Sequence, residues 1–86
     1  MRLRYTEHFR AAYRSLTDEQ AKSVQKALRL LAADPRYPSL RVKRIQGTDA
    51  IWEARASRSL RITFEMDGDS LTLRNVGPHD EALDSP

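Results

Sequence analysis

Ile51-Trp52-Glu53-Ala54-Arg55-Ala56-Ser57-Arg58-Ser59-Leu60-Arg61-Ile62-Thr63-Phe64-Glu65-Met66 alternates at period two, the repeat of a β-strand. Trp52, Ala54 and Ala56 share one face, and Glu53, Arg55 and Ser57 the other. A polar link at 57–59 interrupts the pattern. It then resumes, with Leu60, Ile62, Phe64 and Met66 on one face and Arg61, Thr63 and Glu65 on the other. Two alternating runs joined by a short polar link predict a β-hairpin. One face is apolar enough to be buried. The other carries two arginines and two glutamates, and an antiparallel sheet leaves such a face to water or to a partner.

Outward from this hairpin, Asp67-Gly68-Asp69 predicts a tight turn, and 70–76 a last strand with Leu71 and Leu73 inward and Thr72 and Arg74 outward. Gly77-Pro78 is expected to break it, leaving a polar tail from His79 to Pro86. Upstream, 41–45 reads as a strand with imperfect alternation that suggests a bulge, followed by a turn at Gln46-Gly47-Thr48-Asp49. The N-terminal half is helical. Thr6 is placed as the N-cap of a helix running to about Ser15, with Phe9, Ala12, Tyr13 and Leu16 as its apolar stripe. Thr17-Asp18-Glu19-Gln20 has the form of a capping box opening a second helix that ends at Asp34-Pro35. Ala21, Val24, Leu28 and Leu31 form its inner stripe. Residues 1–5 alternate as a short strand. The expected order is therefore β-α-α-β-β-β-β, an α+β fold in which a helix hairpin packs on one face of a small, twisted, mostly antiparallel sheet.

Length predicts one domain over residues 1–86, since 86 residues support a single core. No apolar run is long enough for a membrane span, and Met1 to Thr6 lacks the apolar segment of a secretory signal. The absence of cysteine excludes disulfides and thiolate metal sites and fits a cytoplasmic protein. The net charge of +3 conceals a marked division: residues 1–35 carry +3, residues 36–61 carry +5 and residues 62–86 carry −5. Twelve of the fifteen cations are arginines, the side chain suited to bidentate phosphate contacts, although a GC-rich genome also favours arginine codons.

The hairpin's polar face carries the candidate chemistry. Arg55 and Arg61 lie on opposed strands and point the same way. With Lys43 they form either a floor for a nucleic-acid phosphate or a solvated face balanced by Glu53 and Glu65. His79, just past the last strand, is either a proton-transfer group or surface decoration. Trp52 falls in phase with the core. No phosphate-binding glycine loop, nucleophile elbow or zinc motif is present.

The succession Leu40-Arg41-Val42-Lys43, Gly47, Ile51-Trp52-Glu53-Ala54-Arg55, Leu60-Arg61-Ile62-Thr63-Phe64-Glu65, Leu71-Thr72-Leu73-Arg74-Asn75-Val76-Gly77 and His79 resembles the RelE/ParE superfamily of toxins from bacterial type II toxin–antitoxin systems. The resemblance covers nearly the whole chain. It implies a toxin that blocks translation by cutting mRNA on the ribosome, without metal or cofactor, through attack of the RNA's own 2′-hydroxyl on the adjacent phosphate. Carried over, Arg61 would stabilise the phosphate, Arg55 would make a further phosphate or base contact, and His79 would protonate the leaving oxygen. Glu53, where relatives place a lysine, would act as base or orient an arginine. Lys43, Arg44, Arg41 and Arg74 would bind RNA. Asp80 and Glu81 depart from the basic or tyrosine residues that follow the histidine in many relatives, and Pro78 intervenes between Gly77 and His79. The ParE-like alternative is a gyrase inhibitor acting by protein binding, and a third reading is a catalytically weak RNA-binding member. The resemblance also implies a cognate antitoxin, acidic and partly disordered when free.

Overall fold

The computed structural model describes residues 1–48 and 50–86; Asp49, the last residue of the expected turn at 46–49, lies outside the described residues. Strand β1 (Arg2–Tyr5) leads into helices α1 (Glu7–Arg14) and α2 (Asp18–Ala33). A 3-10 turn (Pro38–Leu40) and strands β2 (Lys43–Arg44), β3 (Ile51–Arg55), β4 (Leu60–Asp67) and β5 (Ser70–Pro78) follow, and helix α3 (His79–Asp84) closes the chain. The five strands form one sheet in the order β1-β5-β4-β3-β2. The β1–β5 pair is parallel and the other three pairs are antiparallel.

Local chemistry sets the helix boundaries. The Thr6 hydroxyl accepts from the Phe9 amide at 3.1 Å and donates to the Leu73 carbonyl at 2.9 Å, so one side chain caps α1 and ties it to β5. Thr17 and Gln20 form the reciprocal capping box, each side chain accepting from the other residue's backbone amide at 3.1 and 3.0 Å. At the far end of α2, Asp34 accepts from the Arg36 amide at 2.9 Å and its Nε at 3.2 Å. These two hydrogen bonds hold the Asp34 carboxyl below the usual carboxylate range.

The core lies between the helices and one sheet face. Phe9, Val24, Ala27 and Leu31 meet Ala54, Ile62, Phe64, Leu71, Leu73 and Val76, closed at one end by Leu40 and Leu60. Trp52, Tyr13 and Leu28 pack at its margin, as their phases predict.

Three sequence expectations are corrected. First, β2 is two residues long rather than five, because the chain reaches it through Arg41, which adopts a left-handed conformation (φ 47°) that breaks extended pairing. Second, the register irregularity falls between β4 and β5: Thr63 pairs with Asn75 but Phe64 with Leu73, leaving Arg74 as the extra residue. The bulge shifts the phase of β5, so that Leu71 and Leu73 are followed inward by Val76, and Asn75 replaces Arg74 opposite Thr63. Third, the last strand runs on through Gly77 and ends at Pro78 rather than at Val76, and the terminal segment is a helix rather than a tail. Ala82 of α3 is fully buried outside the main core, and Asn75 Nδ2 donates to the Ser85 carbonyl at 2.8 Å. The final helix therefore roofs the sheet face opposite α1 and α2.

Candidate functional site

Cross-strand register assembles the polar face. Lys43, Glu53, Thr63 and Asn75 stand in one row across β2, β3, β4 and β5. A neighbouring row holds Arg55, Arg61 and Gly77. Directly paired residues share a face, so the row follows from pairing alone. The face is more enclosed than alternation suggested: Glu53 is 6% exposed, Thr63 0% and Asn75 7%. Beneath α3, the Thr63 hydroxyl has no hydrogen-bond partner among the described residues.

Glu53 is the hub. Its Oε1 lies 3.9 Å from Lys43 Nζ and 3.9 Å from Arg61 Nε. These separations are long for direct hydrogen bonds and leave the carboxylate as a fixed negative charge between two cations. Arg61 is held further by its own hairpin: Nη1 donates to the carbonyls of Ser57 and Leu60, each at 3.0 Å, and of Arg58 at 3.3 Å. Its side chain is 17% exposed, against 72% for Lys43. The result is a rigid guanidinium beside a mobile ammonium, with one buried acid between them.

His79 sits at the rim. Its amide donates to the Ser59 carbonyl at 2.9 Å, which fixes the start of α3 beside the turn that holds Arg61. The imidazole is half exposed, with Nδ1 3.3 Å from the Asp80 carboxylate. The structure thus brings Lys43, Glu53 and Arg61 together and sets His79, at the start of α3, beside the 57–59 turn. Arg55, directly opposite Arg61, joins none of the ion pairs among the described residues.

The other basic candidates are dispersed. Arg74, pushed out by the bulge, donates to Glu65 Oε1 and, through Nε, to the Pro86 carbonyl at 3.3 Å. Arg44 pairs with Trp52 and lies on the helix side of the sheet. Arg41 borders a hollow there with Trp52 and Met66. Sequence reasoning placed Thr63 on the polar face but missed Asn75. The signal was present: two residues, not one, separate the inward Leu73 and Val76, which is the mark of a bulge. Among the described residues no group of three His, Asp or Glu side chains is gathered as a metal site, and no helix is long and apolar enough to cross a membrane.

No protein-family model and no curated protein sequence matches the chain. Solved structures do. A chain of the RelB–RelE antitoxin–toxin complex from Methanococcus jannaschii superposes with a TM-score of 0.76 at 17% identity, over 94% of this chain and 95% of that one. The chain has the RelE toxin fold. The YoeB/ParE toxin from Agrobacterium tumefaciens gives 0.74 at 18% identity, over 92% and 99% of the two chains. The RelBE toxin–antitoxin complex from E. coli gives 0.70 at 16% identity, over 90% and 94%.

Proposed function

We propose that the protein is a RelE/ParE-superfamily toxin of a type II toxin–antitoxin module that inhibits translation by cutting mRNA on the ribosome. The observation that carries this reading is the Arg61–Glu53–Lys43 arrangement: a guanidinium fixed by three carbonyls and a buried carboxylate, with a mobile lysine beside it. Attack of a 2′-hydroxyl on the neighbouring phosphate builds negative charge on the non-bridging oxygens, and donors fixed in advance stabilise that charge without reorganising. Arg61 is the fixed donor and Lys43 the adaptable one. Glu53 orients both. Its carboxylate lies 3.9 Å from each cation, which suits that positioning role. His79, exposed at the start of α3, protonates the departing 5′-oxygen, and the proton of the attacking 2′-hydroxyl passes to solvent water. The likeness to chains from RelB–RelE complexes supports an antitoxin as partner.

Primer extension on a defined mRNA in a bacterial translation extract tests this. Cuts should appear only on translated message. His79→Ala, at a half-exposed residue whose imidazole meets the exposed Asp80 carboxylate, should slow cutting strongly while the protein stays folded. Uncut message with the wild-type protein overturns the nuclease reading. A supercoiling assay would then test the alternative reading, a ParE-like inhibitor that acts by binding DNA gyrase.

A further inference from the structure

Arg55 stands in an unbalanced position. It faces Arg61 directly across the hairpin, and like charges opposed on neighbouring strands repel. Arg61 is compensated by three carbonyls and Glu53; Arg55 is half buried and joins no ion pair among the described residues. Beyond the last pairing of β2, the edge of β3 is open, and the 3-10 turn and α2 come alongside it. Between them is a hollow of about 160 Å³, bordered by Lys26, Ser39, Arg55 and Ser57 over an apolar floor that includes Ala27 and Leu40. Two cations and two hydroxyls border it, and no acid does. The hydroxyls of Ser15 and Ser23 are spent on helix carbonyls, whereas those of Ser39 and Ser57 have no protein partner among the described residues.

We propose that this hollow binds a phosphate group of an RNA strand, with Lys26 and Arg55 neutralising its charge and Ser39 and Ser57 donating to its oxygens. The inference rests on the RNA-directed reading above and adds a second anchoring point to it. The hollow has room for a phosphate group. Donors arrayed on several walls suit a tetrahedral oxyanion with several free oxygens; a planar carboxylate is satisfied by one arginine fork. The hollow also shares a wall with the Arg61 site: Ser57 borders the hollow, and its carbonyl receives Arg61 Nη1 at 3.0 Å. A strand with one phosphate at Arg61 therefore has a second anchor around the hairpin end.

The test uses the full chain and two probes, inorganic phosphate and an uncleavable 2′-deoxy-substituted oligouridine. Both are followed by the NMR amide signals of Ser39 and Ser57 and by fluorescence anisotropy of the labelled oligonucleotide. Phosphate should shift both amides in the wild type and in neither Arg55→Gln nor Lys26→Gln. Each substitution should weaken oligonucleotide binding about five- to tenfold and lower the slope of log affinity against log salt by about one. Unchanged affinity in both variants overturns the proposal. So does hexaglutamate binding at the hollow as tightly as the oligonucleotide, which would make it a protein-docking point. Neither readout needs cleavage. Binding at the hollow by a protein that leaves mRNA uncut would keep this inference and refute the nuclease reading, and cutting with an indifferent hollow would do the reverse.

Discussion

Arg61, proposed to hold the phosphate, also holds the fold. It lies off the main core, but its guanidinium ties together three carbonyls at the β3–β4 turn. Arg61→Ala should therefore abolish growth arrest and also lower stability by about 1–3 kcal/mol, the worth of charged hydrogen bonds lost from a mostly enclosed group. Urea denaturation measures the second effect. Arg61→Lys, which keeps the charge but loses the planar guanidinium that turns Nε toward Glu53 while Nη1 holds the carbonyls, should stay arrest-deficient if that fixed orientation matters. Thr63 makes the opposite case. Its buried hydroxyl has no partner among the described residues, so Thr63→Val, which keeps the shape and removes the polar group, should raise stability by about 1 kcal/mol in thermal melts. A lower melting temperature would mean that the hydroxyl is satisfied in solution. Of the site residues, Glu53, Arg55 and Arg61 were readable because alternation alone puts them on one face; the imperfect alternation of 41–45 left that face to either Lys43 or Arg44, and pairing with Glu53 decides for Lys43. The anchoring of Arg61 was not, since it depends on the path of the 57–59 turn.

Caps and turns were the most legible elements. The Thr17–Gln20 box forms as its spacing dictates, and Thr17→Ala should cost about 1 kcal/mol of stability by the same melts. The end of α2 adds a pH signature. Asp34 is held below the usual carboxylate range by Arg36, so its contribution is fully present above that range. The contribution fades as pH falls through the lowered native value. Stability curves of the wild type and Asp34→Asn should accordingly differ at neutral pH and converge on acidification; a constant gap would contradict the assignment. Short β2 and the β5 bulge were harder to place. Both come from single residues in particular conformations, Arg41 at positive φ and Arg74 squeezed from the ladder, and local pattern carries such events only as a break in rhythm. Helix α3 was missed for a related reason: Gly77-Pro78 reads as a stop, yet Pro78, at the very end of β5, precedes a helix whose first residue is His79.

Taken whole, the molecule is a sheet covered on both faces, by α1 and α2 on one and by α3 on the other. Removing residues 79–86 should strip the cover from Thr63 and Asn75, lower the melting temperature and take away His79 in one step. Adding back His79 alone, in a chain ending there, separates lost shielding from lost chemistry: unrecovered cutting with a still-lowered melting temperature is the expected result. The sheet order carries a consequence in time. Strand β1, made first, has β5 as its sole neighbour, and β5 is made almost last. The row that gathers Lys43, Glu53, Thr63 and Asn75 waits for the same strand. A nascent chain therefore lacks its finished sheet and its polar row until β5 has emerged from the ribosome. If the protein acts on translating ribosomes, its topology keeps it harmless until that strand can pair.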